Sequence, residues 1–181
     1  MVDQLEFHRL MTIRPSGKID PLSFLDEEVF DAGSAGTVVH KLLEKQWDEL
    51  DREDIYEDYF THYNVPESIK SNIIRMSRNF QKTAHYEKLK AGAQGYFEHD
   101  FVRVAQGNQV RGSIDLFYFD KEADGWVIVD FKTTALRGQD PETVMLENGY
   151  DQQLEFYAQY LESVVGDDKI VTKEICWLGV P

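Results

Sequence analysis

Residues Gly112 to Thr133, GSIDLFYFDKEADGWVIVDFKT, contain the clearest secondary-structure pattern of the chain. Apolar and β-branched residues stand on both sides of a short polar segment that ends in Asp124-Gly125, a dipeptide typical of hairpin turns. The pattern predicts two antiparallel strands, over Val110–Phe119 and Trp126–Thr133, joined by Lys121–Gly125. Because apolar residues predominate in both strands, we expect the sheet to be buried.

Outside this hairpin, apolar residues recur three and four positions apart, which predicts helices. The predicted helices cover about Ala35–Leu50, Pro66–Phe80, Ala84–Lys90 and Tyr150–Val165, and further strands cover Tyr96–Val102 and Lys173–Val180. Met1–Gly33 is predicted as loops with short elements, and the acidic run Asp48–Asp58 as a solvated helix end or loop. This order of elements predicts a single α/β domain over residues 1–181, with a mixed central sheet flanked by helices.

Composition and charge restrict the class of protein. The 181 residues are 42% hydrophobic and 13% aromatic, which is typical of a globular chain rather than a disordered one. No apolar run approaches the roughly 20 residues that span a bilayer, and Met1–Arg14 lacks a signal-peptide core, so we expect no membrane partner. A single cysteine makes a reducing cytoplasm the simplest compartment. Cys176 is the single cysteine, which excludes an all-cysteine zinc or iron–sulfur site within this chain. Gly33-Ser34-Ala35-Gly36 is not followed by Gly-Lys-Ser/Thr, so we expect no nucleotide to bind here.

The net charge of −14, from 19 basic and 33 acidic side chains, counts against a generic nucleic-acid binder. It does not exclude an enzyme that acts on nucleic acid, because a metal site is itself built from carboxylates. Any grip on DNA must then be local, or supplied by a partner.

The hairpin carries an acidic pair and a lysine. Asp130 and Lys132 are two apart in one strand, so their side chains share a face at roughly 7 Å between Cα atoms. Antiparallel pairing brings Asp115 opposite Asp130 or its neighbour, where facing Cβ atoms are about 5 Å apart. Two carboxylates that close repel unless a cation lies between them, and Mg²⁺ held by oxygen ligands satisfies this need. An ion pair between Asp130 and Lys132 on an exposed edge explains the same residues equally well.

Five motifs in order resemble those of the PD-(D/E)XK nuclease superfamily, in its RecB and AddA branch. They run from Gly36 to Leu161 and comprise Gly36-Thr37-Val38-Val39-His40, Glu98-His99-Asp100-Phe101, Gly112-Ser113-Ile114-Asp115-Leu116, Val129-Asp130-Phe131-Lys132-Thr133, and the helix with Tyr150, Gln153 and Tyr157. The resemblance implies a restriction-endonuclease-like core. Phe131 stands where relatives more often have tyrosine, and the four-cysteine iron–sulfur clasp of some relatives is absent.

The resemblance also implies a role for each matched residue. His40, Asp115, Asp130 and the backbone carbonyl of Phe131 would bind a divalent ion, magnesium with manganese as a substitute. Lys132 would position or activate the attacking water, and Glu98 would support the site or a second metal ion. Gln153 and Tyr157 would contact the scissile strand or hold Lys132 in place.

The activity implied is exonuclease-type hydrolysis of DNA in end processing and recombinational repair. Relatives carry this domain at the C-terminus of a helicase, so we expect a motor as partner in cis or in trans, with this chain a fragment or a free-standing relative. Two alternatives stay open: a non-catalytic DNA-holding or assembly module of the same fold, and an interaction domain with no nuclease ancestry.

Overall fold

A computed structural model describes residues 30–105, 107–166 and 170–179 of the chain. Most of the segment predicted as loops, Met1–Gly33, therefore lies outside the described residues. The chain divides into two compact units at Ser77 and Arg78, and each unit is described by itself. Within the described ranges, no helix combines the length and apolar character needed to span a bilayer.

The first unit is helical. Helix α1 covers Ala32–Gln46, α2 covers Asp54–His62, and α3 covers Glu67–Phe80 and continues past the boundary. The predicted first helix is confirmed, but it begins three residues earlier, because the Asp31 carboxylate caps it by accepting the Ser34 N–H at 2.8 Å. Its buried side chains follow helical spacing, as predicted: Val38, Val39, Leu42 and Leu43.

Helix α2 was not predicted, because its few apolar residues stand among the acidic residues of Asp48–Asp58 and no helical period is evident there. Within the helix, Ile55, Tyr56 and Phe60 are buried, whereas Glu57 and Asp58 are exposed. The acidic side chains are thus a solvated face, as expected, and only a few apolar residues at helical spacing belong to the core.

The second unit contains the sheet. Its elements in chain order are α4 (Ala84–Lys90), β1 (Gly95–Ala105), β2 (Asn108–Asp120), β3 (Gly125–Lys132), α5 (Pro141–Glu147), α6 (Tyr150–Val165) and β4 (Ile170–Trp177). The strands lie in the order β1-β2-β3-β4, with β1–β2 and β2–β3 antiparallel and β3–β4 parallel. The predicted α/β class with a mixed sheet is confirmed.

The turn from β2 to β3 lies where the sequence predicts it. Asp120 pairs with Gly125, and Asp124 between them takes a positive φ of 48°, a conformation that aspartate tolerates better than most residues. Helix α5 was missed, although Asp140 caps it by accepting the Thr143 N–H at 2.9 Å and a proline opens it. Strand β4 begins three residues before the predicted Lys173.

Helix α6 covers one face of the sheet and supplies much of the core. Its apolar stripe packs on side chains from three strands, and the buried cluster consists of Phe101, Ile114, Phe117, Ile128, Leu154, Tyr157, Ala158 and Leu161. Burial of each such large side chain contributes about 1.5–3 kcal/mol. The other face carries Phe131, which packs edge-on against Phe80 and also contacts Phe97.

Gly112 of the Gly-Ser-Ile-Asp segment is explained by packing. It pairs with Phe101 across β1 and β2, and a Cβ at this position would lie 2.5 Å from Phe101 Cζ. The Phe101 ring is held by parallel stacking on Tyr160, with centroids 4.0 Å apart, and touches Tyr157 edge-on. The glycine therefore lets the aromatic ring of Phe101 lie directly against β2.

Gly112→Ala is expected to lower the free energy of unfolding by about 1–3 kcal/mol, because Phe101 is wedged between the strand and α6. Urea denaturation measures the loss. Gln109→Ala, at an exposed position of the same strand, is the matched control and should change stability by less than about 0.5 kcal/mol. Equal stability of the Gly112 variant and the wild type would show that the Phe101 ring is free to swing aside.

Candidate active site

The candidate site lies where β2 parts from β3. The antiparallel ladder ends at the pair Leu116–Val129, so the next residues in register are Asp115 and Asp130. The Phe131 backbone N–H donates to Asp115 Oδ2 at 2.6 Å. Asp130 and Phe131 stay paired with β4, opposite Ile175 and Cys176. The prediction that Asp115 faces Asp130 or its neighbour is confirmed.

The alternation of side chains breaks in both β1 and β2 at the level of the site. Ile114 and Phe117, three apart in β2, belong to the same core against α6. Tyr96 and His99, three apart in β1, both contact the Phe117 ring. In a regular strand, residues three apart point to opposite faces. Each strand therefore changes face between these positions.

Glu98 lies at the break in β1. Its φ is +45°, a left-handed conformation that costs a non-glycine residue about 1–2 kcal/mol. The β1–β2 pairing passes from Phe97–Leu116 to His99–Ile114 without a change of register, so Glu98 stands level with Asp115. A carboxylate oxygen of Glu98 lies within 4.8 Å of one of Asp115. The strained backbone thus accompanies the close approach of two carboxylates, as is common at functional sites.

Lys132 forms the cationic part of the site. Its Nζ lies 2.7 Å from Asp130 Oδ2, and it donates to Gln153 Oε1 at 3.2 Å. The Gln153 amide in turn donates to the Tyr157 hydroxyl oxygen at 2.6 Å. The Asp130 side chain is 2% exposed and that of Lys132 17%. The alternative that Asp130 and Lys132 form an ion pair on an exposed edge is therefore wrong. The two residues do form an ion pair, but it is buried between the sheet and α6.

The pKa of the Tyr157 hydroxyl is affected by burial and by the negative charges of this region. Burial is the main cause that raises the pKa of its hydroxyl well above the usual range, and the negative charges of Asp130, Asp115 and Glu98 raise it further. The hydroxyl thus stays protonated and serves as an acceptor for Gln153. The same three carboxylates that the sequence singles out therefore act together on one phenol.

The donor set of these residues fits a hard divalent cation. Glu98 and Asp115 are half-buried and bring carboxylate oxygens close together. Oxygen ligands of this kind are those that Mg²⁺ and Mn²⁺ prefer. The Phe131 side chain packs into the core, so this residue offers only its main chain to the site.

His40 is the predicted site residue that lies outside the second unit. It is half-buried in α1 of the first unit, and its role as a ligand stays a prediction. The catalytic roles of Asp115, Asp130, Lys132 and Glu98 likewise stay predictions.

Two aromatic residues near Lys132 had no role assigned from the sequence. The Tyr150 ring centroid lies 4.1 Å from Lys132 Nζ, and the Trp177 ring contacts Tyr150 with centroids 6.2 Å apart. Tyr150 stands in the quoted helix motif, which signals its importance without indicating what it contacts. Trp177 carries no such signal, because its proximity depends on the parallel pairing of β4 with β3.

A mixed sheet that parts beside clustered carboxylates and a lysine defines an α/β protein suited to bind a divalent ion. The family model of the PD-(D/E)XK nuclease superfamily matches residues 9–177, and the chain belongs to this superfamily. No curated protein matches the sequence. Membership indicates a metal-dependent nuclease and confirms the superfamily level of the resemblance, whereas the RecB and AddA branch is a finer assignment.

Cys176, next to the site on β4, makes stability depend on pH. Burial first, then the charges of Glu174, Asp115 and Asp130, raise the pKa of its thiol from the ordinary 9.0 to about 12. Its contribution to stability is therefore fully present below pH 9 and is lost as the pH rises from 9 towards 12, because only the unfolded chain ionises there.

We expect the free energy of unfolding to fall less steeply above pH 9 in Cys176→Ser than in the wild type. Urea denaturation at a series of pH values measures both slopes. The serine side chain has nearly the same shape as cysteine and does not ionise in this pH range. Tyrosines ionise equally in both proteins, so the difference between the two slopes comes from the thiol. Identical slopes would contradict the buried, neutral thiol.

Proposed function

We propose that this protein is a divalent-metal-dependent deoxyribonuclease of the RecB and AddA type, which hydrolyses phosphodiester bonds during DNA end processing and recombinational repair. One observation carries the proposal. Asp130 lies almost fully buried next to the Lys132 ammonium, at the point where the ladder between β3 and the strand that carries Asp115 ends. A buried acid and a lysine at the open end of a hairpin suit a reaction on a charged phosphate group.

The proposed metal site uses oxygen and imidazole ligands. Asp115, Asp130 and the Phe131 carbonyl would hold magnesium, or manganese in its place, with Glu98 as a supporting carboxylate. His40 enters as a further ligand from the Gly-x-x-x-His pattern of the sequence. When bound, the ion supplies Lewis-acid stabilisation of negative charge on the phosphoryl group.

The chain's own residues would orient the nucleophile. Lys132, held by Asp130 and Gln153, places a positive charge where water approaches the phosphate. Of the two roles that the resemblance leaves for Gln153 and Tyr157, the hydrogen-bond distances favour the one that holds Lys132. Tyr157 is 6% exposed, which leaves little of its surface for a DNA strand.

Lys132→Ala should separate chemistry from metal binding. Because lysine is not a ligand, we expect manganese or magnesium to raise the melting temperature of this variant as in the wild type. Cleavage of linear DNA should fall about a hundredfold or more. Asp130→Asn should lose both properties. Calorimetric titration and a cleavage assay with metal or chelator measure them.

Lys173→Ala is the matched control, since this lysine forms an exposed ion pair with Glu155 in the same unit. It should cleave DNA at the wild-type rate. Wild-type cleavage by Lys132→Ala would contradict the nuclease assignment. Metal and DNA binding without cleavage by the wild type would favour the alternative of a non-catalytic DNA-holding module.

The charge of the chain supports dependence on a partner. With a net charge of −14, its long-range field repels DNA and slows encounter. We propose that residues 1–181 act as one nuclease domain that a helicase motor, in cis or in trans, supplies with a DNA strand. Such tethering raises the effective concentration of DNA at the site and so makes up for a low affinity of the domain for DNA. We place this activity in the cytoplasm.

The metal-loaded Lys132→Ala protein should therefore bind single-stranded DNA weakly, with a dissociation constant in the micromolar range or above. The dependence on salt should be shallow, because few phosphates are neutralised. A fluorescence-anisotropy titration at several salt concentrations measures both quantities. Nanomolar binding with a steep salt dependence would instead demonstrate a basic channel and remove the need for a motor.

A further inference from the structure

The ammonium of Lys132 has contacts on three sides. Asp130 Oδ2 lies 2.7 Å from Nζ and Gln153 Oε1 lies 3.2 Å from it. The third contact is the face of the Tyr150 ring, whose centroid is 4.1 Å away. The ammonium therefore has one ion-pair partner, one hydrogen-bond acceptor and one aromatic face around it.

The Tyr150 ring is held in place by the start of α6 and by a residue at the end of β4. Tyr150 is the first residue of α6, directly after Gly149, whose φ of +69° turns the chain into the helix. The Trp177 ring packs on it from the end of β4. Trp177 pairs with Lys132 in the β3–β4 register, and the Leu178 N–H donates to the Lys132 carbonyl at 2.8 Å. The lysine and the ring therefore share one rigid frame.

The face of an aromatic ring carries partial negative charge and attracts a cation at this distance. The attraction depends on the ring and not on its hydroxyl. It is strong here because Lys132 is largely removed from water. Without the ring, one side of the ammonium would be open to water, and the long lysine side chain would gain rotamers that point away from Asp130.

We propose that Tyr150 is a positioning residue for Lys132, and that it holds the ammonium towards Asp130 through a cation–π contact. The consequence for catalysis rests on the proposed nuclease function, whereas the contact itself is a property of the folded chain. Tyr150 acts through Lys132 and does not need to touch DNA. The ring, rather than the hydroxyl, is the required group.

The activity test compares full-length variants at position 150 under metal-loaded conditions. Tyr150→Phe should cleave within about twofold of the wild type, whereas Tyr150→Leu should lower kcat by roughly two- to thirtyfold with little change in KM. Mono-, di- and trifluorophenylalanine at this position should lower kcat progressively, because fluorine withdraws charge from the ring face while the shape is kept. A purely structural role would not produce this gradient.

Tyr86→Leu is the matched control. Tyr86 is a half-buried helical tyrosine that packs edge-on against Phe80 and has Lys90 Nζ 6.0 Å from its ring centroid. Its replacement should leave kcat unchanged. A flat response to fluorination in an active enzyme, or failure of phenylalanine to rescue the leucine variant, would overturn the proposal.

A second measurement does not need nuclease activity. In metal-free protein, Tyr150→Leu should lower the melting temperature less in a Lys132→Met background than in the wild-type background, since the contact is already lost. Equal shifts in both backgrounds would overturn the proposal. Unequal shifts in a protein that cleaves no DNA would uphold the contact and reject the nuclease function, so the two failures are distinguishable.

Discussion

The hydrogen bond from the Phe131 N–H to the Asp115 carboxylate is the interaction on which the site depends. It forms at the position where the ladder between β2 and β3 ends after Leu116 and Val129. A side chain here meets the main chain of the neighbouring strand, so the antiparallel ladder does not continue to Asp130, which pairs with β4 instead. The Asp115 carboxylate is thereby held next to the segment of β3 that carries Asp130 and Lys132.

Concentration of negative charge is the main cost of this arrangement. Asp130 is almost fully buried, and Glu98 and Asp115 bring their carboxylates close together. Lys132 offsets part of the repulsion, because its ammonium contacts Asp130 directly. A divalent ion would offset the rest, which is the physical reason why metal binding and stability should be linked.

Helix α6 contacts both the hydrophobic core and the charged residues of the site. One face of it packs Leu154, Ala158 and Leu161 on the sheet, and the same turns carry Gln153 and Tyr157 towards Lys132. The same helix therefore carries both core residues and the hydrogen-bond partner of Lys132. Gly112 belongs to the same system, since the ring of Phe101 that it accommodates also touches Tyr157.

Features that depend on local periodicity could be predicted from the amino-acid sequence. Alternating and turn-forming residues predicted the hairpin with Asp115 near Asp130, and helical spacing predicted α6 with Gln153 and Tyr157 on one face. Spacing of two placed Asp130 and Lys132 on the same side of one strand. These features involve residues that are close in sequence or separated by one short turn, so they can be predicted without knowing the rest of the fold.

The change of face in β1 and β2 at Glu98 and Asp115 depends on the packed sheet, because regular alternation along a strand predicts no such change. The tertiary structure also decided that Tyr150 and Trp177 meet Lys132, because the start of α6 and the end of β4 come together only through long-range packing. The two helices that escaped prediction are short. Helix α2 buries only a few apolar residues among acidic ones, and α5 buries only Val144, so neither shows a long apolar period in the sequence.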